Sequence, residues 1–206
     1  METFTPFLAT LLSVLLLSAF VKIFTTLSIL RLGLGLDGAS FGVVFAALAF
    51  VLAMVVVEPQ MAPVGGLSGI LSGTSKSTSE LEKSFRPFME KHTEAASINR
   101  IQRIQSSLKA AGSAEAASNE ESKKETISFA GLTAAFLTSQ ISQAFYLGLL
   151  FIIPFLVLDL LVTNVLMVLG ITQISQRAIS LPLKLLLFYV VDGWALLTEK
   201  ILGAYL

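Results

Sequence analysis

Cysteine is absent from the 206 residues, which excludes disulfides, thiolate nucleophiles and cysteine-ligated metals. Histidine occurs once, at His92, and its neighbouring carboxylates Glu90 and Glu94 do not complete a metal-binding set. The simplest reading of His92 is a surface or half-buried side chain. Because it lies outside the apolar segments, no Ser-His-Asp arrangement can form within them, which argues against an intramembrane protease. Charge is scarce as well, at 14% of residues against about 25% in soluble domains. Fourteen basic and fourteen acidic residues cancel, so there is no basic footprint for nucleic acid, and no nucleic-acid partner is expected. The glycines at 33, 35 and 38 follow no strand and make no phosphate-binding fingerprint. Gly131, Gly148 and Gly170 suit close helix packing without forming a tight small-residue repeat. Nothing marks an enzyme, a cofactor site or a metal site.

What is present is apolar. Hydrophobic residues make up 54% of the chain and the mean hydropathy is +0.81. The pattern predicts an all-α, membrane-type protein built of hydrophobic helical hairpins, with a polar, partly helical loop domain between the second and third apolar segments. The first segment runs from Phe4 to Leu30, interrupted only by Lys22, and exceeds the roughly 20 residues a spanning helix needs. A secretory signal begins with basic residues. Here Glu2 is the only charge before Lys22, so a retained helix is expected. Arg31 to Gly38 reads as a turn, and Phe41 to Val57 as a second, short span. The amino-terminal hairpin is thus 1–57.

The polar domain, 58–128, differs in kind. Seventeen of the chain's twenty-eight charges lie between Pro59 and Ile127. Residues 59–79 read as a loop. Residues 80–110 place 81, 85, 88, 92, 95, 98, 101, 104 and 108 three or four apart, an amphipathic helix with a break expected near Ser97–Asn99. Residues 111–128 read as a linker.

The carboxy-terminal domain is 129–206. Phe129 to Gly170 is too long for one straight span, and Pro154 predicts a kink or division into 129–151 and 152–169. Ser139, Gln140, Ser142 and Gln143 give its first half a polar face, and Phe129, Phe136, Phe145, Phe151 and Phe155 read as packing residues. A turn at 170–180 leads into the last segment, Ala178 to Leu206. Basic residues at Arg31 and Arg177 place the two short turns in the cytoplasm and the polar loop and both termini outside.

Lys22, Asp159, Lys184 and Asp192 fall inside apolar segments. A charge near a bilayer centre costs on the order of 2.5–3.5 kcal/mol on insertion scales, so all four are expected to be buried rather than to face lipid. Asp159 lies thirteen residues before Thr172 and Lys184 twelve after it. A reversal near Thr172 brings them to one depth as a buried charge pair. The alternative use of these charges is a small ion channel or secondary transporter.

The motifs carry a resemblance. YLGLLFIIPFLVLDLLVTNVLMVLG (146–170), ISLPLKLLLFYVVDGWALL (179–197), FVKIFTTLSILRLGLGL (20–36) and FRPFMEKHT (85–93) resemble the FliP/SctR (YscR) family of type III secretion export-gate proteins. The resemblance implies a non-enzymatic, pore-forming subunit that conducts unfolded proteins across the bacterial inner membrane. It implies a homo-oligomer of about five copies, joined by the two smaller hydrophobic export proteins (SctS/FliQ-like and SctT/FliR-like) and the SctU/FlhB-like switch protein. The cone they form contacts membrane lipid and lies largely on the periplasmic side. Lys22, Asp159, Lys184 and Asp192 would then be buried between subunits. The family's constriction maps to Ile171, Thr172 and Gln173, where this chain lacks the usual methionines. It also carries Gln140 where a glutamate is usual. FVKI at 20–23 resembles the injectisome branch; the flagellar branch is the alternative.

Overall fold

The computed structural model describes residues 19–61, 78–112, 128–171 and 173–205. Among these residues every regular element is an α-helix, accounting for about 87% of them. In chain order they are α1 (Phe20–Leu34), α2 (Ala39–Met61), α3 (Thr78–Lys91), α4 (Ala95–Gly112), α5 (Phe129–Val168), α6 (Gln176–Val190) and α7 (Gly193–Gly203). Two of them, α2 over Ala39–Pro59 and α5, are long and apolar enough to cross a membrane. The pair α6 and α7, bent by 64° at its break, adds a third if taken as one span. The chain forms two compact units, one of 1–19 and 57–142, the other of 20–56 and 143–206.

In the second unit α1 runs parallel to the middle of α5. Lys22 meets Gln143 and Thr26 meets Ala144. Ile29 packs on Gly148, and Ile152 on Gly33. A Cβ added to Gly33 would sit 2.6 Å from Ile152 Cγ1, and one added to Gly148 would sit 2.7 Å from Ile29 Cδ1. Glycine is needed at both places because the helices approach so closely. The α1 stripe Ile23, Leu27, Leu30 and Leu34 is buried, at the three-to-four spacing of an apolar helix face. Phe45, Ala49 and Ala53 of α2, Phe155, Val162 and Leu166 of α5, and Phe188, Leu197 and Ile201 complete this core.

In the first unit the buried set is Val57, Phe85, Phe88, Met89, Leu132, Ala135 and Phe136. Phe88 and Phe136 lie with ring centroids 6.0 Å apart. Ser128 caps α5, its Oγ accepting from Gly131 N–H at 3.1 Å.

Four expectations are corrected. Residues 129–168 form one continuous helix of 40 residues with Pro154 inside it. Proline removes one donor and crowds the carbonyl of Leu150, a loss this long apolar helix absorbs. At about 1.5 Å per residue, α5 is about 60 Å long, twice a bilayer core of about 30 Å.

The amphipathic stretch breaks at 92–94, not at 97–99. There Thr93 Oγ1 donates back to the Met89 carbonyl, and such side-chain bonds compete with helix continuation. The break also shifts the apolar phase. Ala95 and Ile104 are exposed while Ser97 is buried.

The last segment is two helices. Asp192, at φ +49°, turns the chain into the left-handed region. Gly193 follows it, at a point where an added Cβ would collide with the Phe188 ring. The turn before α6 is shorter than 170–180, because Ser175 caps α6 and the helix starts at Gln176.

Candidate functional site

Helices α5 and α6 form an antiparallel hairpin. Phe155 faces Phe188, ring centroids 6.3 Å apart. One helical turn nearer the reversal, Lys184 Nζ donates to Asp159 Oδ2 at 2.6 Å and to the Gly33 carbonyl at 2.9 Å. The Lys184 side chain is buried, whereas that of Asp159 keeps 26% of its surface. The ammonium therefore has a charged and a neutral acceptor in a poorly solvated place, the condition under which a buried charge is tolerated. Asp159 is a junction in its backbone as well. Its carbonyl accepts from Thr163 Oγ1 at 2.8 Å and from Gln176 Nε2 at 3.0 Å.

The turn is closed at both ends. Gly170 takes φ +69°. Gly170 N–H donates to Met167 O at 3.1 Å and Ile171 N–H to Leu166 O at 3.0 Å. This is the paired bonding that ends a helix on a left-handed glycine. On the far side the Ser175 side chain accepts from Ala178 N–H and starts α6. Between these caps lie the residues expected at a constriction. Ile171 and Gln173 are exposed, and Thr172 lies outside the described residues. Met167 and Val168, on the last turn of α5, and Leu169 just past it are more exposed than Ile171, Val168 reaching 86%. Sequence reading passed over Met167; the signal available was a thioether one helical turn before Gly170.

The other two expected charges behave differently. Lys22 is 1% exposed. Its Nζ donates to Gln143 Oε1 at 2.8 Å and lies 4.7 Å from the Tyr205 ring centroid. Asp192 is exposed within the single chain, so any burial there has to come from another chain. Around it Tyr189, Val190, Val191 and Trp194 are also exposed. Sequence reading missed Tyr205 and Asp37. Asp37 pairs with Arg177, whose guanidinium also donates to the Gly35 carbonyl.

In the first unit the polar face of α5 holds the α3–α4 break. Ser139 and Gln140 are fully buried. Ser139 Oγ accepts from Glu94 N–H at 3.1 Å, and Gln140 Nε2 donates to the His92 carbonyl at 3.0 Å. These bonds satisfy backbone groups that helix ends leave open. An ionised carboxylate at 140 has no hydrogen to donate, so the amide suits this place.

The geometry defines a class: an all-α membrane protein with a charge-neutralised hairpin and a doubly capped apolar turn. Sequence relationships then fix the family. Residues 4–201 match the FliP family model. The chain is 34% identical over 197 residues to the flagellar biosynthetic protein FliP of Cereibacter sphaeroides, covering 93% of this chain and 62% of that protein. It is 30% identical to the virulence protein YscR of Salmonella typhimurium, covering 91% and 87% of the two chains. To the harpin secretion protein HrpW of Pseudomonas syringae it is 32% identical, covering 92% and 91%. The chain belongs to the FliP family, whose members are components of the type III export apparatus. With two membrane-length apolar helices among the described residues, it is an inner-membrane protein.

Proposed function

We propose that the chain is the pore-forming subunit of a type III export gate, conducting unfolded proteins across the inner membrane as one of about five copies in a cone. Its partners would be the two smaller hydrophobic export proteins and the switch protein. The observation that carries this reading is the α5–α6 hairpin. Its inward charges are paired, its outer faces are apolar and exposed from Leu149 to Val191, and its turn is capped at both ends. So large an apolar surface requires cover by lipid or by other chains. In this reading the three domains 1–57, 58–128 and 129–206 assemble with the turn at the translocation path, and Ile171, Thr172 and Gln173 line the constriction. Lys22 and Asp192 are covered between subunits, with much of the assembly on the periplasmic side.

The injectisome branch is favoured by FVKI at 20–23. Expression in strains lacking the flagellar or the injectisome homologue tests that choice; rescue of motility alone would overturn it. Blue-native electrophoresis after co-expression with the smaller export proteins tests the gate itself. A multi-copy ring that forms only with those partners is expected. A monomer indifferent to them would count against the reading. Bulky or charged replacements at Ile171 and Gln173 should change leakage or export and leave assembly intact. Loss of assembly would make the turn a packing element instead.

A further inference from the structure

The caps end α5 and start α6 but leave open where the turn between them stands. Two adjacent side chains just beyond the Ser175 cap tie it to different elements. Gln176 Nε2 reaches back to the Asp159 carbonyl on α5, at 3.0 Å. That carbonyl already serves Thr163 Oγ1, and the Asp159 carboxylate holds Lys184 of α6. Arg177 reaches the other way, to Asp37 and the Gly35 carbonyl in the turn between α1 and α2. Gly35 is at φ +80°, a conformation open to glycine, which presents its carbonyl there. We infer that Gln176 and Arg177 are the positioning residues of the turn: a two-point mount that sets where Ile171, Gln173 and Ile174 stand. The Gln176 bond is part-buried and independent of salt. The Arg177–Asp37 pair is exposed on both sides and is the releasable point, since salt screens exposed pairs. The inference rests on the constriction reading above, because a mount matters for transport only if the turn lines the path.

The absence of cysteine permits a clean test. Ile174→Cys on the turn and Ser40→Cys at the start of α2, both exposed positions, carry nitroxide labels in the full chain, purified in detergent. Pulsed-EPR distances between them are expected to give one main peak. Arg177→Met should raise the population outside that peak about two- to fivefold, the factor an exposed ion pair is worth. Gln176→Ala should raise it about two- to tenfold, the range of one hydrogen bond. Sodium chloride near 1 M, where the screening length is about 3 Å, should reproduce the Arg177→Met distribution in the parent and add nothing to that variant. Arg177→Lys should restore the main peak and the reversed pair Asp37→Arg with Arg177→Asp part of it, the Gly35 carbonyl being left without its donor; a mere folding defect would allow neither. Unchanged distributions in both Arg177→Met and Gln176→Ala overturn the mount. Leakage through the co-expressed complex separates the two ideas. Altered distances with unaltered leakage keep the mount and remove the constriction reading. Fixed distances, with leakage that still answers to Ile171 or Gln173, do the reverse.

Discussion

Two lysines are buried in the same unit and held in opposite ways. Lys184 is met by a carboxylate at 2.6 Å and a carbonyl at 2.9 Å. Lys22 is met by an amide oxygen at 2.8 Å and the face of a tyrosine, and among the described residues no carboxylate pairs with it. Lys22 lies on α1 and Lys184 reaches it through the Gly33 carbonyl, and the parallel crossing of α1 with α5 is tight enough to need Gly33 and Gly148. One site therefore depends on a counter-charge that becomes a liability if left alone. The other depends on a neutral amide and a ring, so no stranded charge is left without the cation. Burial alone does not say what a charge is worth; the partner left behind does.

The largest effect tests the charged site. Asp159→Ala or Lys184→Met strands one ion in a poorly solvated place, a loss of about 3–5 kcal/mol. Unfolding of the purified protein in detergent should show it. The exchange of both, Asp159→Lys with Lys184→Asp, should recover part of that loss, although the Gly33 carbonyl then loses its donor. If the exchange is no better than the single changes, direct pairing contributes little.

How much of this was open to sequence reading follows from the kind of signal. Helices and spans were legible because apolar runs and periodic stripes encode them locally. The depth match of Asp159 and Lys184 could be read because a hairpin's reversal point fixes which residues face each other. Pro154 misled, because one missing bond is a local rule and the 40-residue helix around it is not. The true break at 92–94 is marked locally only by the Thr93 bond to Met89 and is held by Ser139 and Gln140, some 45 residues away, so a local window carries only part of its signal. Gln143 and Tyr205 around Lys22, and Asp37 opposite Arg177, are long-range partners of the same kind.

A smaller effect is expected where an amide, not a charge, carries the contact. Gln140→Glu keeps the shape but replaces a donor with an acceptor facing the His92 carbonyl. At neutral pH this should cost about 1–3 kcal/mol, the penalty for a buried polar group without its partner. Acidification protonates the carboxyl and restores a donor, so the deficit of the variant should shrink as pH falls toward about 4, the ordinary range of a glutamate. Unfolding measured across that range checks the sign. A deficit that grows on acidification would mean the 140 side chain is held by something other than the break.

The smallest effect is the sharpest test of the comparison. Lys22→Met removes the cation but strands no carboxylate. Gln143 Oε1 loses a donor, but it is a neutral acceptor and no ion is left behind. The thioether can lie against the Tyr205 ring for about 0.3–1.5 kcal/mol, close to the 0.5–2 kcal/mol of the cation–ring contact it replaces. Removing the need to desolvate an ammonium acts in the variant's favour. The net change in stability should therefore stay within about 1 kcal/mol, several-fold below that of Lys184→Met. The two variants unfolded side by side decide it. Equal losses would show that Lys22 depends on an opposite charge after all, and would end the distinction between the two sites.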